Sequence, residues 1–191
     1  KNIIDLIEIS KERYQLESQR RKEELQKNQN WSFPTSITFA GNYSELKIKK
    51  SVMRPFYYDF KWKTEENFIK FLEKSKKVEY WFKNGDSDQT FFAIPYDEQN
   101  QTRLFYVDFI VKFKNGKIGL FDTKSGSTID TAKAKSDGLQ KYITKHKKKN
   151  IFGGIVTNTD SYNFKGRWIM FTKNSKFLNK NEFNNWETLF A

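Results

Sequence analysis

Cysteine is absent from the 191 residues, histidine occurs once, and proline only three times. Without cysteine there is no disulfide framework, no thiolate nucleophile and no Cys/His zinc cluster. The single histidine, His146, stands in the run Lys145-His146-Lys147-Lys148-Lys149. Such a run reads as a solvated surface, which leaves a Ser-His-Asp triad without a base. No apolar stretch approaches the roughly 20 residues a membrane span requires, and no signal-peptide pattern opens the chain. A soluble, cytoplasmic protein with no membrane partner is expected. Catalysis, if present, must draw on carboxylates, lysines, hydroxyls or a hard metal bound through oxygen.

Aromatic residues are plentiful, with 19 Phe, 9 Tyr and 5 Trp, enough for one real core. Trp81 and Trp168 are read as core residues. The net charge is +12, and an excess of that size points to a polyanionic partner, with nucleic acid the usual one. Only six of the 35 basic residues are arginine. That skew also fits an A·T-rich coding sequence, so the charge by itself decides less than its size implies.

Along the chain, residues 1–29 read as a long charged helix whose apolar stripe is too thin to hold it to a core. It is expected to be an N-terminal helical arm, followed by a bridging region over 30–61 and a mixed α/β domain over 62–191. Thr64 is a candidate N-cap for a helix reaching Lys76, with Phe68, Ile69, Phe71 and Leu72 on its apolar face. Strands are expected at Val78–Lys83, Thr90–Ile94, Arg103–Phe113 and Lys117–Lys124. A helix over Ile129–Lys145 follows, then strands at Ile151–Thr157 and Arg167–Thr172. A short closing helix is expected around Phe183, Trp186, Leu189 and Phe190.

Within the apolar run Leu104-Phe105-Tyr106-Val107-Asp108-Phe109-Ile110-Val111 a lone acid is costly unless something compensates it. The next strand carries Asp122-Thr123-Lys124, whose alternation sends Asp122 and Lys124 to one side. Two carboxylates and an ammonium converging there suit a magnesium ion beside a group that steadies charge on a phosphate. The acid-x-Lys tripeptide alone carries no information. Three occur, at Glu45-Leu46-Lys47, Asp59-Phe60-Lys61 and Asp122-Thr123-Lys124, about as many as chance gives. The third differs in lying on a hydrophobic strand, beside a strand bearing Asp108 and after a helix offering Glu65 and Glu66. A surface ion pair at a strand end is the bland alternative.

Asp108, Asp122-Thr123-Lys124 and the order helix, three strands, helix, strand resemble the PD-(D/E)xK nuclease superfamily. Glu65, Phe68, Leu72-Glu73, Val78, Trp81-Phe82-Lys83-Asn84, Val107-Asp108-Phe109 and Asp122-Thr123-Lys124-Ser125-Gly126 are similar to the C-terminal endonuclease domain of type III restriction enzymes. The resemblance implies a restriction-endonuclease-like α-β-β-β-α-β core with a mixed sheet, and Mg²⁺-dependent hydrolysis of DNA, with Mn²⁺ able to substitute. It implies Asp108, Asp122, the Thr123 carbonyl and Glu65 as metal ligands, and Lys124 as the group that orients or deprotonates the attacking water. Glu65 fits the family spacing better than Glu66. Lys133, Lys135, Gln140 and Lys141 are the expected DNA-backbone contacts, with a solvated helix face the equal alternative. Residues 1–29 would be the stem below a helicase-like ATPase motor, with target specificity and methylation in a separate subunit. The chain departs from the pattern in having Val107 where proline is usual, and Asp122 where glutamate is commoner. The alternative is a noncatalytic nucleic-acid-binding or assembly domain on the same fold.

Asn115-Gly116 between the two acid-bearing strands makes the register a test. A two-residue loop pairs Lys114 with Lys117 and sends Asp108 and Asp122 to opposite faces, which rules out a shared site. A three-residue loop with Gly116 left-handed in a G1 bulge instead sets Asp108 opposite Asp122 and Lys124 opposite Tyr106. It also gathers Val107, Phe109, Val111, Phe113 and Phe121 on the other face. That register is the expected one.

Overall fold

The computed structural model describes residues 8–17, 31–39, 41–59, 61–86 and 90–190. Of the expected arm, 8–17 are helical (α1) and exposed throughout, and the rest lies outside the described residues. The domain is mixed α/β. Its mixed six-stranded sheet runs β10 (Glu187–Thr188), β9 (Trp168–Phe171), β8 (Ile151–Asn158), β7 (Ile118–Thr123), β6 (Phe109–Phe113), β3 (Val78–Lys83). Among the described strands only β7 and β8 pair in parallel, and helix α3 (Lys133–Lys145) makes the crossover between them. No helix among the described residues is long and apolar enough to cross a membrane.

Strand alternation divides the core. Phe109, Val111, Phe113 and Phe121 face helix α2 (Lys63–Lys74), packing on its Phe68, Ile69 and Leu72. Ile110 and Leu120 face the other way, toward Leu139 of α3 and a separate hairpin, β4 (Ala93–Glu98) with β5 (Gln101–Tyr106). Gly138 lets α3 approach that hairpin, because a Cβ there would sit 2.4 Å from the Tyr96 Cβ. Trp81 and Trp168 lie in the core as expected.

The segment expected to bridge is packed onto the domain. It forms a small sheet, β1 (Ser44–Leu46) with β2 (Phe56–Tyr58), and buries Phe56 and Tyr58 against α2. Ser51 bridges Trp81, so 50–52 run along the outer side of β3. Glu73 fixes this segment by accepting from the Lys49 and Lys50 backbone N–H groups and from Trp81 Nε1. Lys50 Nζ in turn donates to the Leu72, Glu73 and Ser75 carbonyls, closing the C-terminus of α2.

Four local expectations need correction. The run Arg103–Phe113 is two strands, broken at Val107-Asp108, and the first half leaves the main sheet to pair with β4. Strand β4 begins at Ala93, later than expected, and turns through Gln99 and Asn100, both at positive φ. The Ile129–Lys145 helix opens as a 3₁₀ turn over Asp130–Ala132, preceded by another over Gly126–Thr128, and becomes α-helical only at Lys133. The closing segment forms strand β10 rather than a helix, with Trp186 and Leu189 buried beside it.

Candidate active site

The β6–β7 register is the expected one. Lys112 pairs with Ile118, Ile110 with Leu120 and Phe109 with Phe121. Gly116 has φ +84° and donates its N–H to the Phe113 carbonyl, which gives the three-residue loop with a left-handed glycine. The ladder stops at Phe109↔Phe121, one pair short of the two acids. The bend at Val107-Asp108 causes this. It also moves Val107 into the opposite hydrophobic cluster, and it takes Tyr106 away from Lys124 to pair with Ala93.

Asn84 holds the bend. Its buried side chain donates to the Phe92 and Val107 carbonyls and accepts from the Phe92 N–H, while its own N–H donates to the Asp108 carbonyl. These bonds replace the ladder partners that a continuous strand would have had. Asp108 is thereby free to reach across to β7. Its Oδ2 accepts from the Thr123 N–H at 2.7 Å and the Thr123 hydroxyl at 2.6 Å.

Four elements deliver charged groups to this corner. Asp122, 3 % exposed, lies with Oδ2 2.5 Å from Lys124 Nζ. The contact is a close ion pair, and it engages the buried Oδ2. Lys124 Nζ also donates to the Thr123 carbonyl at 3.2 Å. From the end of β3, Lys83 Nζ lies 3.2 Å from Glu65 Oε2 and 4.0 Å from Asp108 Oδ1. Glu65, in the first turn of α2, also accepts from the Tyr58 hydroxyl at 3.1 Å. Thr64 is not the N-cap, which falls at Trp62. Its hydroxyl instead donates to Ser125 Oγ, tying the start of α2 to the loop after Lys124.

These neighbours separate the acids electrostatically. Burial pushes the Asp122 carboxyl up to about 6, with Asp108 adding to the rise and Lys124 opposing it. Burial also opposes ionisation of Asp108, but Lys83, Lys124 and the Thr123 hydrogen bonds outweigh it and hold the group below its usual range. Glu65 is raised, chiefly by burial and despite Lys83. Lys124 is raised, because Asp122 and Asp108 overcome the burial that disfavours its charge.

Asp108, Asp122, Thr123 and Lys124 therefore meet as the sequence led us to expect. Glu65 comes to the same corner but is engaged with Lys83 rather than with the aspartates. Among the described residues no three acidic or histidine side chains are spaced to hold a metal ion between them. Of the expected DNA contacts, Lys133 is exposed on α3, and Lys135 adds its positive charge to the field at Asp122. Gln140 is turned inward, donating to the Gly153 carbonyl, and Lys141 pairs loosely with Asp97 at 3.7 Å. His146 closes α3 and stacks on Tyr142, outside the cluster. Sequence reading gave no role to Lys83, Asn84 or Tyr58. One signal was present for Lys83: alternation from the buried Trp81 puts it on the core side of its strand, an expensive place for an ammonium without acidic partners.

The fold and cluster define a mixed α/β domain with buried acid–lysine chemistry where its central strands end. The chain belongs to the YagJ family, whose sequence model matches residues 49–188. No curated protein and no solved structure matches it.

Proposed function

We propose that the chain is a Mg²⁺-dependent nuclease domain that hydrolyses DNA phosphodiester bonds on a restriction-endonuclease-like core. In this reading it works below a helicase-type motor, with specificity supplied by a separate subunit. The observation that carries it is the junction of β6 and β7. Asp108 is bent out of its strand and bonded across to Thr123, beside an Asp122–Lys124 pair buried at the same strand ends. A structural ion pair needs one acid and one base, and burying further carboxylates costs stability unless they bind something. The order α2, β3, β6, β7, α3, β8 supports the same core, with β4–β5 inserted as a side hairpin.

The donor set suits a hard divalent cation in kind: carboxylate and carbonyl oxygens, among them those of the buried Asp122. Asp108, Asp122 and the Thr123 carbonyl would hold the ion, with Glu65 acting through water. Bound there, Mg²⁺ would polarise the phosphoryl group and favour an activated water. The protein's own contributions are distinct from this. Thr123 fixes Asp108 through Oδ2 and leaves Oδ1 toward the cluster. Lys124, kept cationic by two aspartates, offers its charge to the scissile phosphate. Tyr58 fixes the orientation of Glu65.

A noncatalytic DNA-binding domain is the second reading, favoured by the lack of a three-ligand cluster among the described residues. Plasmid nicking separates the two. Wild type with Mg²⁺ should convert supercoiled DNA to open circles, while Asp122→Ala and Lys124→Ala should each lose at least about 100-fold of the rate. Equal nicking by all three proteins, or none by wild type, rejects the nuclease.

A further inference from the structure

Lys83 is a second ammonium in the cluster, and the Asp122–Lys124 chemistry does not require it. It lies within reach of Glu65 and Asp108, and its 20 % exposed side chain leaves it few other partners. Among the described residues its side-chain hydrogen bond outside the acids is to the neighbouring Asn84 carbonyl at 3.2 Å, and it rests over the Phe109 ring. The ammonium is therefore directed at the two carboxylates by the end of β3 and by the aromatic surface below it. Asp108 Oδ1, the oxygen that Thr123 does not bind, is the one turned toward it.

Resting on the nuclease reading, we propose that Lys83 is a resident counter-cation, competing with divalent metal for Glu65 and Asp108 until substrate arrives. A dication held at Asp108 with Glu65 beside it, and an ammonium in the same place, would repel each other. Metal loading therefore requires the flexible lysine to swing away. The displaced ammonium then has a polyanion to meet, the phosphate backbone of the substrate. Lys83 thus couples loading of the ion to the presence of DNA, and the free protein keeps its acids neutralised without metal.

The test is Mn²⁺ binding to the full chain, followed by electron paramagnetic resonance, in wild type, Lys83→Met and Lys83→Arg. Thermal unfolding verifies the fold, and Lys83→Gln replaces the methionine variant if that one does not fold. Removing one positive charge from contact with the acids should tighten Mn²⁺ binding by about tenfold, whereas Lys83→Arg should stay near wild type. At saturating Mn²⁺ the neutral variants should nick DNA more slowly than wild type despite holding the ion better, a split that a merely structural lysine would not produce. Equal Mn²⁺ affinity in wild type and Lys83→Met overturns the counter-cation and leaves the metal site standing. If no variant binds Mn²⁺, the metal reading falls, and this inference falls with it.

Discussion

Asp122 sits almost wholly out of water beside a second carboxylate, and its carboxyl is raised to about 6 against an ordinary value of 3.8. A raised carboxyl means that folding favours the protonated form. This group's contribution to stability is therefore complete below about pH 4 and is lost as pH rises through 6. Asp108 has the opposite sign: its lowered value gives stability above the ordinary carboxylate range that is lost on acidification. Asp122→Asn isolates the first effect. In chelator-treated protein the variant should match wild type near pH 4 and exceed it by about 1–3 kcal/mol at pH 7, measured by urea unfolding. It should also lose metal binding and nicking. A stability difference that does not change with pH would show that Asp122 is not strained by its charge.

At the scale of elements, the break in the run 103–113 makes the site. A continuous strand would carry Asp108 along the sheet, whereas the bend at Val107-Asp108 turns its carboxylate onto Thr123. Asn84 supplies the hydrogen bonds that the bend forfeits. Asn84→Ala leaves the Phe92 N–H and two carbonyls without partners in a buried setting, and should cost roughly 2–4 kcal/mol. Because Asp108 shifts with the bend, Mn²⁺ affinity should fall alongside stability. A loss of stability with unchanged Mn²⁺ affinity would mean that Thr123 alone positions the acid.

At the scale of the whole molecule, the segment ahead of α2 belongs to the fold. Trp31 and Phe33 pack around Phe82, Phe56 and Tyr58 sit against α2, and 50–52 cover the edge of β3. A chain shortened to begin at residue 62 uncovers both faces of the core, and calorimetry should show no cooperative unfolding. A sharp transition near that of the full chain would return this segment to the status of a linker. The charge of +12 also acts at this scale. Six or more lysine–phosphate contacts should weaken DNA binding about 10³-fold or more between roughly 50 and 200 mM salt, measured by fluorescence anisotropy. A flat response would detach the basic surface from DNA altogether.

What the sequence determined by itself was local or periodic. Alternation and the Asn115-Gly116 turn specified the β6–β7 register, because a slip of one residue would have sent every apolar side chain to the wrong face. The same register put Asp108 and Asp122 on one side, and the apolar face of α2 was legible from its spacing. The tertiary structure decided what depends on partners distant in the chain. In Leu104–Val111 both faces are apolar, so no periodicity marks the point where β5 leaves for β4. Only Asn84, 23 residues before Val107, holds the break. Lys83 and Glu65 are 18 positions apart and meet because α2 lies over β3. The closing segment pairs as a strand because the edge of β9 offers it free backbone groups, which outweighs the helical spacing of Trp186, Leu189 and Phe190.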